Sequence, residues 1–242
     1  MNYKYFSVTN IGLKRLDNED SLGVFEVDNG ILAVVCDGLG GNNAGDVASQ
    51  LSVNTVYDYF KTSTENDYLK RIKSAIITAN QSILDKASTS NDFKGMATTV
   101  EVLFLLDNFA YYGHVGDSRI YNLLNSKLIQ LTKDHSLVQK LIDEGYLTVS
   151  EAEHHPNRNI IMRALGDNST LEIDLKQVEL NPHDEQLFFL CTDGVTTVVN
   201  DTELEEILTD CSNIKETLSN LIEQRGAPDN FSYVVITKNI NG

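Results

Sequence analysis

Basic residues, cysteines, prolines and long apolar runs are all scarce in this chain of 242 residues, and each shortage narrows what it can be. Lysine and arginine total 19 against 35 acids, giving a formal charge of −16. A surface so poor in cations cannot displace counterions from a phosphate backbone, which argues against nucleic acid as a partner. Three cysteines, an odd number with no CxxC spacing, argue against a disulfide framework and for a reducing compartment, the cytoplasm. The three prolines mark no boundary, and there is no linker, internal repeat or low-complexity tract, so residues 1–242 read as a single domain. No apolar run approaches the ~20 residues that a membrane-spanning helix needs. The opening Met1-Asn2-Tyr3-Lys4-Tyr5-Phe6 lacks the apolar core of a secretory signal.

Two common phosphate-handling devices are missing as well. Gly40-Gly41-Asn42-Asn43-Ala44-Gly45 runs into Asp46 rather than the lysine of a P-loop. A thiol phosphatase needs arginine six residues after its cysteine, but Cys36, Cys191 and Cys211 are followed at that distance by Asn42, Thr197 and Thr217. The cysteines therefore read as small core residues.

What is present is an apolar run, Val34-Val35-Cys36, that ends on Asp37-Gly38, and a second one downstream, Phe188-Phe189-Leu190-Cys191, that ends on Thr192-Asp193-Gly194. Around them the chain alternates like strands at 3–9, 22–27, 31–35, 100–106, 109–115, 120–124, 128–131, 171–180, 186–191 and 231–237. Asp28-Asn29-Gly30 is hairpin chemistry. Helical periodicity predicts helices from Ala44 and from about Asp67, a short one over 134–145, and two more around Leu204 and Leu218. Hairpin-linked strands with helices inserted in blocks predict an α+β architecture of antiparallel sheets covered by helices. Lys70, Arg71 and Lys73 read as a solvated helix face. His114 reads as a packed residue, His135 as a turn cap, and His154 and His155 as surface residues.

Each acid taken alone has an ordinary explanation. Asp-Gly is a frequent turn dipeptide, Asp229 could cap a turn, and Asp117 could pair with Arg119. Context shifts the balance, because a carboxylate at the end of a buried strand is costly to desolvate without a counter-ion. Hard carboxylate oxygens suit Mg²⁺ and Mn²⁺, and bound divalent cations would reverse the local charge for a phosphate substrate.

The ordered set Arg15-x-x-Asn18-Glu19-Asp20, Cys36-Asp37-Gly38-Leu39-Gly40-Gly41, Gly45-Asp46-Val47-Ala48-Ser49, Gly95-Met96-Ala97-Thr98-Thr99, Gly116-Asp117-Ser118-Arg119, Thr132-Lys133-Asp134-His135-Ser136, His155-Pro156-x-Arg158-Asn159 with Arg163-Ala164-Leu165-Gly166, Thr192-Asp193-Gly194 and Asp229-Asn230 spans nearly the whole chain. In this order it resembles the metal-dependent serine/threonine protein phosphatases of type 2C, in their compact bacterial, single-domain form.

The resemblance implies a β-sandwich of two antiparallel sheets flanked by helices, four layers in the order αββα. It implies hydrolysis of phosphoserine and phosphothreonine by a hydroxide held between two Mn²⁺ or Mg²⁺ ions, with a weaker third site. By motif match, Asp37 bridges two ions and the Gly38 carbonyl binds one. Asp193 and Asp229 bind the other, and Asp117 joins Asp193 at the third. Glu19 acts through water, Asp20 and Asn230 support the network, and Arg15 clamps the phosphate. Residues 134–163 correspond to a flap beside the site. Partners would be phosphorylated proteins, a serine/threonine kinase and its substrates, approached by a monomer. Leu39 stands where some members carry a histidine thought to protonate the leaving alcohol, which leaves the general acid unidentified. The alternative is a phosphoprotein-binding module of the same fold with weak catalysis.

Overall fold

The strand β3 (Gly30–Cys36) is buried at every position, so no polar face shows in its sequence. Its alternating side chains enter two different layers. Ile31, Ala33 and Val35 pack between the two sheets, while Leu32, Val34 and Cys36 pack under helices. The computed structural model describes residues 3–39, 44–167, 170–210 and 212–238. The Gly40-Gly41-Asn42-Asn43 part of the first motif and Cys211 lie outside these.

One sheet has the order β10-β7-β6-β3-β2, where β2 is Ser21–Val27, β6 Val100–Leu106, β7 Phe109–Val115 and β10 Asp174–Glu179. The other has the order β1-β12-β11-β8-β9, with β1 Tyr3–Asn10, β8 Arg119–Leu124, β9 Lys127–Gln130, β11 Gln186–Cys191 and β12 Phe231–Lys238. All pairings within both sheets are antiparallel. A two-residue ribbon of β4 (Gly38–Leu39) and β5 (Ala97–Thr98) stands apart.

Three apolar layers follow from this stacking. Helices α1 (Ala44–Thr62) and α2 (Tyr68–Ala87) cover the outer face of the first sheet through Val53, Val56, Phe60, Ile72 and Ile76. Helices α6 (Asp201–Thr209) and α7 (Ile214–Gln224) cover the second through Leu204, Leu208, Leu218 and Ile222. Between the sheets lie Leu103, Leu105, Tyr112, Ile120, Phe188, Leu190, Val234 and Ile236. The expected four layers are present. Full burial of each large apolar side chain contributes roughly 1.5–3 kcal/mol. No helix among the described residues is long and apolar enough to cross a membrane.

Local chemistry sets the ends of the elements. Asp28 and Asn29 adopt φ of 51° and 63°, the left-handed pair that a two-residue hairpin requires. Asn125 and Ser126 do the same between β8 and β9. Asp67 caps α2 by accepting from the Lys70 amide at 3.2 Å. Residues 134–163 form the excursion. Its helices are α3 (Leu137–Asp143), narrower than the 134–145 expected, and α4 (Val149–Glu153). Its ends are pinched together where Leu137 N donates to Ile160 O at 2.9 Å and Met162 N to His135 O at 2.7 Å. Short α5 (Asp193–Thr196) was not expected, and the strand expected over 171–180 is confined to Asp174–Glu179. Leu171 and Ile173 pack against the helical layer without strand pairing.

One expectation is overturned. Arg71 does not lie on a solvated face: it is 3% exposed, donates to the Phe60 carbonyl and to Asp28, and lies 4.9 Å from the Phe60 ring centroid. Position on the helix, not charge, decided its burial, since Arg71, Ile72, Ala75 and Ile76 share the inward side of α2. Its partners stabilise the burial, because a buried cation needs them. Arg71→Met keeps the apolar stem and strands the Phe60 carbonyl. It should lower unfolding stability by about 2 kcal/mol, read as a fall in urea midpoint at unchanged m-value. No shift in midpoint would show the guanidinium to be dispensable.

Candidate active site

Five chain ends meet where the two sheets come together. Asp37 follows β3 and Asp20 precedes β2 in one sheet. Asp193 follows β11 and Asp229 precedes β12 in the other. Asp117 sits on the crossover from β7 to β8, which passes between the sheets. Thus acids as far apart in the chain as Asp20 and Asp229 share one end of the sandwich.

Their electrostatics show how closely they are packed. Burial, followed by the charges of Asp20, Asp193, Asp117 and Asp229, holds the Asp37 carboxyl well above the usual carboxylate range. Asp193 is raised by burial and by the charge of Asp229. Burial, then Asp193 and Asp134, pushes Asp117 up to about 8. Burial pushes Asp20 up to about 7, opposed by hydrogen bonds from Ser232 and Thr192. Glu19 is also raised, chiefly by burial, with Arg15 opposing. Cation-free crowding of this kind is costly, because like charges at close range each disfavour ionisation of the next.

Hydroxyl groups hold the acids in place. The Thr99 hydroxyl accepts from the Asp37 amide at 2.9 Å and contacts the Ser118 hydroxyl at 2.8 Å. Thr98 donates to the Asp37 carbonyl at 2.8 Å, and the Thr99 amide does so at 2.9 Å. Thr192 donates to Asp20 at 2.9 Å. Ser49 donates to the Glu19 carbonyl at 2.6 Å. Asn230 accepts from the Glu19 amide at 2.9 Å and donates to the carbonyls of Ile11 and Asp17. The motif residues with no assigned chemistry, Thr98, Thr99, Ser118 and Thr192, are thus the braces of those that have one. Ser118 and Thr192 were signalled by adjacency to Asp117 and Asp193, whereas Thr98 and Thr99 lie about sixty residues from the Asp37 that they hold.

Two glycines are steric necessities. A Cβ on Gly194 would lie 1.8 Å from the Asn230 carbonyl oxygen, and one on Gly38 2.3 Å from that of Gly45. The Asp-Gly pairs are therefore close crossings of backbone, not hairpin corners.

Arg15 stands at the rim, half exposed, its guanidinium 2.7 Å from Asp229. That hydrogen bond is the main reason its pKa rises further. Asp117 does not pair with Arg119, which instead takes Asp134 through two nitrogens at 2.7–3.1 Å. Leu39 is half-buried on the short ribbon.

Below the excursion, His114 is fully buried. It bonds Glu101 through Nδ1 and the Lys133 carbonyl through Nε2, the latter at 2.9 Å. Burial pushes Glu101 up to about 7. For His114 burial acts downward, and Glu101 outweighs it. His135 accepts from the Gly116 amide at 3.1 Å and lies 4.3 Å from the His114 ring. Burial, then His114 and Arg163, lowers it to about 4. His154 and His155 sit on the excursion, away from these contacts.

The acids fit divalent cations in their chemistry. Every side-chain donor is a hard oxygen, and Asp20 Oδ1 and Asp117 Oδ1 are buried with no hydrogen-bond partner. Among the described residues, no group of three or more acid, histidine or cysteine side chains is arranged to hold a metal ion. Asp229 is turned to Arg15.

The protein phosphatase 2C family model matches residues 14–225. The serine/threonine phosphatase stp of Listeria welshimeri is 36% identical over 240 residues, covering 96% of this chain and 94% of that protein. The crystal structure of the Mycobacterium tuberculosis serine/threonine phosphatase PstP/Ppp superposes with a TM-score of 0.88 at 34% identity, covering 97% of each chain. A PstP catalytic domain in complex with two manganese ions superposes with a TM-score of 0.86 at 32% identity, covering 98% of this chain and 99% of that one.

The raised carboxyls set a sign for stability. Asp20 and Asp117 titrate at about 7 and about 8 when folded, against roughly 4 unfolded. Between those values the unfolded chain releases protons that the folded chain keeps, so stability falls as pH rises from about 4 to 8. In chelator, the thermal midpoint should drop from pH 5.5 to 8. Asp117→Asn should flatten the drop and raise the midpoint at pH 8, and Mn²⁺ should flatten it in the parent. A midpoint that climbs with pH in the parent, with Asp117→Asn lowering it at pH 8, would contradict this account.

Proposed function

The chain belongs to the protein phosphatase 2C family, and from that premise we propose that it removes the phosphoryl group from phosphoserine and phosphothreonine in proteins, using Mn²⁺ or Mg²⁺. The observation that carries this reading is the set of crowded, buried carboxyls that both sheets bring to one end of the sandwich, with Asp20 Oδ1 and Asp117 Oδ1 left without a hydrogen-bond partner. A divalent cation would offset the repulsion within such a set. Asp37, the Gly38 carbonyl, Asp193 and Asp229 are the groups that would hold two ions, with Glu19 acting through water. Asp117 and Asp193 would hold a weaker third. Bound there, the ions would activate water and neutralise the attacked phosphoryl group.

The chain's own residues have separate tasks in this reading. Arg15 leaves Asp229 for the phosphate, whose oxygens match its planar fork of donors. Asp20 anchors the network through Thr192, and Asn230 fixes the Glu19 backbone. Leu39 offers no proton, so the leaving alcohol must be protonated from elsewhere. The whole chain acts as one catalytic domain, with residues 134–163 as a flap tied by Thr98–Leu165 backbone bonds to the threonine that holds Asp37.

The same reading places the enzyme in the cytoplasm as a monomer that counters a serine/threonine kinase. Cys36 and Cys191 are unpaired and buried, as suits a reducing compartment.

Release of phosphate from a phosphothreonine peptide in Mn²⁺ tests the reading. Asp37→Asn should lower kcat by about 10²–10³-fold, the order of one well-placed electrostatic group, without loss of fold by circular dichroism. Arg15→Ala should raise KM and lower kcat/KM, with Arg15→Lys recovering only part. Equal rates for the parent and Asp37→Asn would reject the assignment.

A further inference from the structure

The loop that joins β1 to β2 presents apolar side chains to solvent although it is held firmly along its length. Leu16 is 91% exposed, the most exposed large apolar side chain among the described residues, and Leu13 is 60% exposed. Slack does not explain this. Leu13 N donates to the Ala227 carbonyl at 2.9 Å, Asn230 Nδ2 donates to the carbonyls of Ile11 and Asp17 at 2.8 and 3.0 Å, and Asn18 donates to Thr9 at 2.8 Å. A Cβ on Gly12 would lie 2.2 Å from the Asp229 carbonyl oxygen, so the loop lies directly on the strand end that carries Asp229. Between the two leucines the same loop delivers Arg15 to Asp229 at 2.7 Å.

We propose that Leu13 and Leu16 form an apolar shelf that selects phosphoprotein segments carrying an aliphatic residue beside the phosphorylated serine or threonine. The proposal rests on the phosphatase reading, in which Arg15 receives the phosphoryl group. Residues of an extended peptide are spaced by roughly 3.3–3.6 Å. A phosphorylated residue engaged at Arg15 therefore places its near neighbours within reach of the side chains on either side of that arginine. An aliphatic neighbour would cover leucine surface that the fold itself leaves wet.

Phosphothreonine peptides matched in length and charge, with Leu or Ser at the positions flanking the phosphothreonine, test the selection. Turnover of p-nitrophenyl phosphate, which has no flanking residue, serves as the reference for the chemistry. The parent should favour the leucine peptide by about tenfold in kcat/KM, expressed mainly in KM. Leu13→Ser/Leu16→Ser, normalised to its own p-nitrophenyl phosphate turnover, should reduce that preference to within about twofold. Exposed loop substitutions of this kind leave stability nearly unchanged, which thermal unfolding checks. If p-nitrophenyl phosphate and both peptides go unhydrolysed in Mn²⁺, it is the phosphatase reading that falls. Hydrolysis of both peptides without a leucine preference, or a preference that survives the double variant, overturns the shelf. So does sedimentation showing a parent dimer that the double variant dissociates, since the leucines would then cover a second copy of the chain.

Discussion

The mutual repulsion of carboxylates gathered at one end of a dry sandwich is the constraint to which the rest of the structure answers. Asp20 and Asp117 are each under 10% exposed, and the charge of Asp193 is among those that raise Asp37. Desolvation and like charge both act against ionisation there, which is why these carboxyls titrate high. A fold tolerates such a cluster when the gain lies in binding cations of higher charge density. The family to which the chain belongs uses metal ions in this way, and the hard-oxygen donor set agrees with it.

Holding repelling groups together takes rigid support, and the support is made of neutral hydroxyls. Thr98, Thr99 and Ser118 link the first Asp-Gly turn to the β7–β8 crossover. The Thr192 hydroxyl binds the second turn to Asp20 and accepts from the Ser232 amide. Hydroxyls serve here because they can donate to a carboxylate or accept from an amide without adding charge. The glycines after Asp37 and Asp193 allow backbones to approach more closely than any side chain permits. The two Asp-Gly pairs rhyme in sequence because the same steric problem is solved once in each sheet.

The excursion over residues 134–163 is joined to this framework by backbone, not by loose contact. Its exit, Leu165, exchanges two hydrogen bonds with Thr98, and its entry, His135, clamps Gly116 from both amide and ring. A displacement of the excursion would thus reach the neighbours of Asp37 and Asp117 through short, directional bonds. The His114–Glu101 pair beneath it is buried and self-satisfied apart from one carboxylate oxygen, Glu101 Oε2, and serves as packing for the His135 ring.

Much of this was legible in the chain itself. Alternation and turn chemistry located most strands within a residue or two, since period and left-handed turn residues are local properties: β6 and β7 fall where the pattern puts them, and Asp28-Asn29 turns where expected. The ordered motifs named the acids, because a metal-dependent chemistry leaves residue types that no packing argument requires. Sequence could not say that Arg71 is buried, since the carbonyl and carboxylate that compensate it come from the end of α1 and from the β2–β3 turn. Nor could it show that Thr98, Thr99 and Thr192 brace the acids, that His114 finds Glu101 across a strand pair, or that Arg119 prefers Asp134 to its neighbour Asp117. Residue identity fixes what a group can bond to. Only the tertiary structure decides which distant group arrives within bonding distance, because that depends on how two sheets stack and where their strand ends meet.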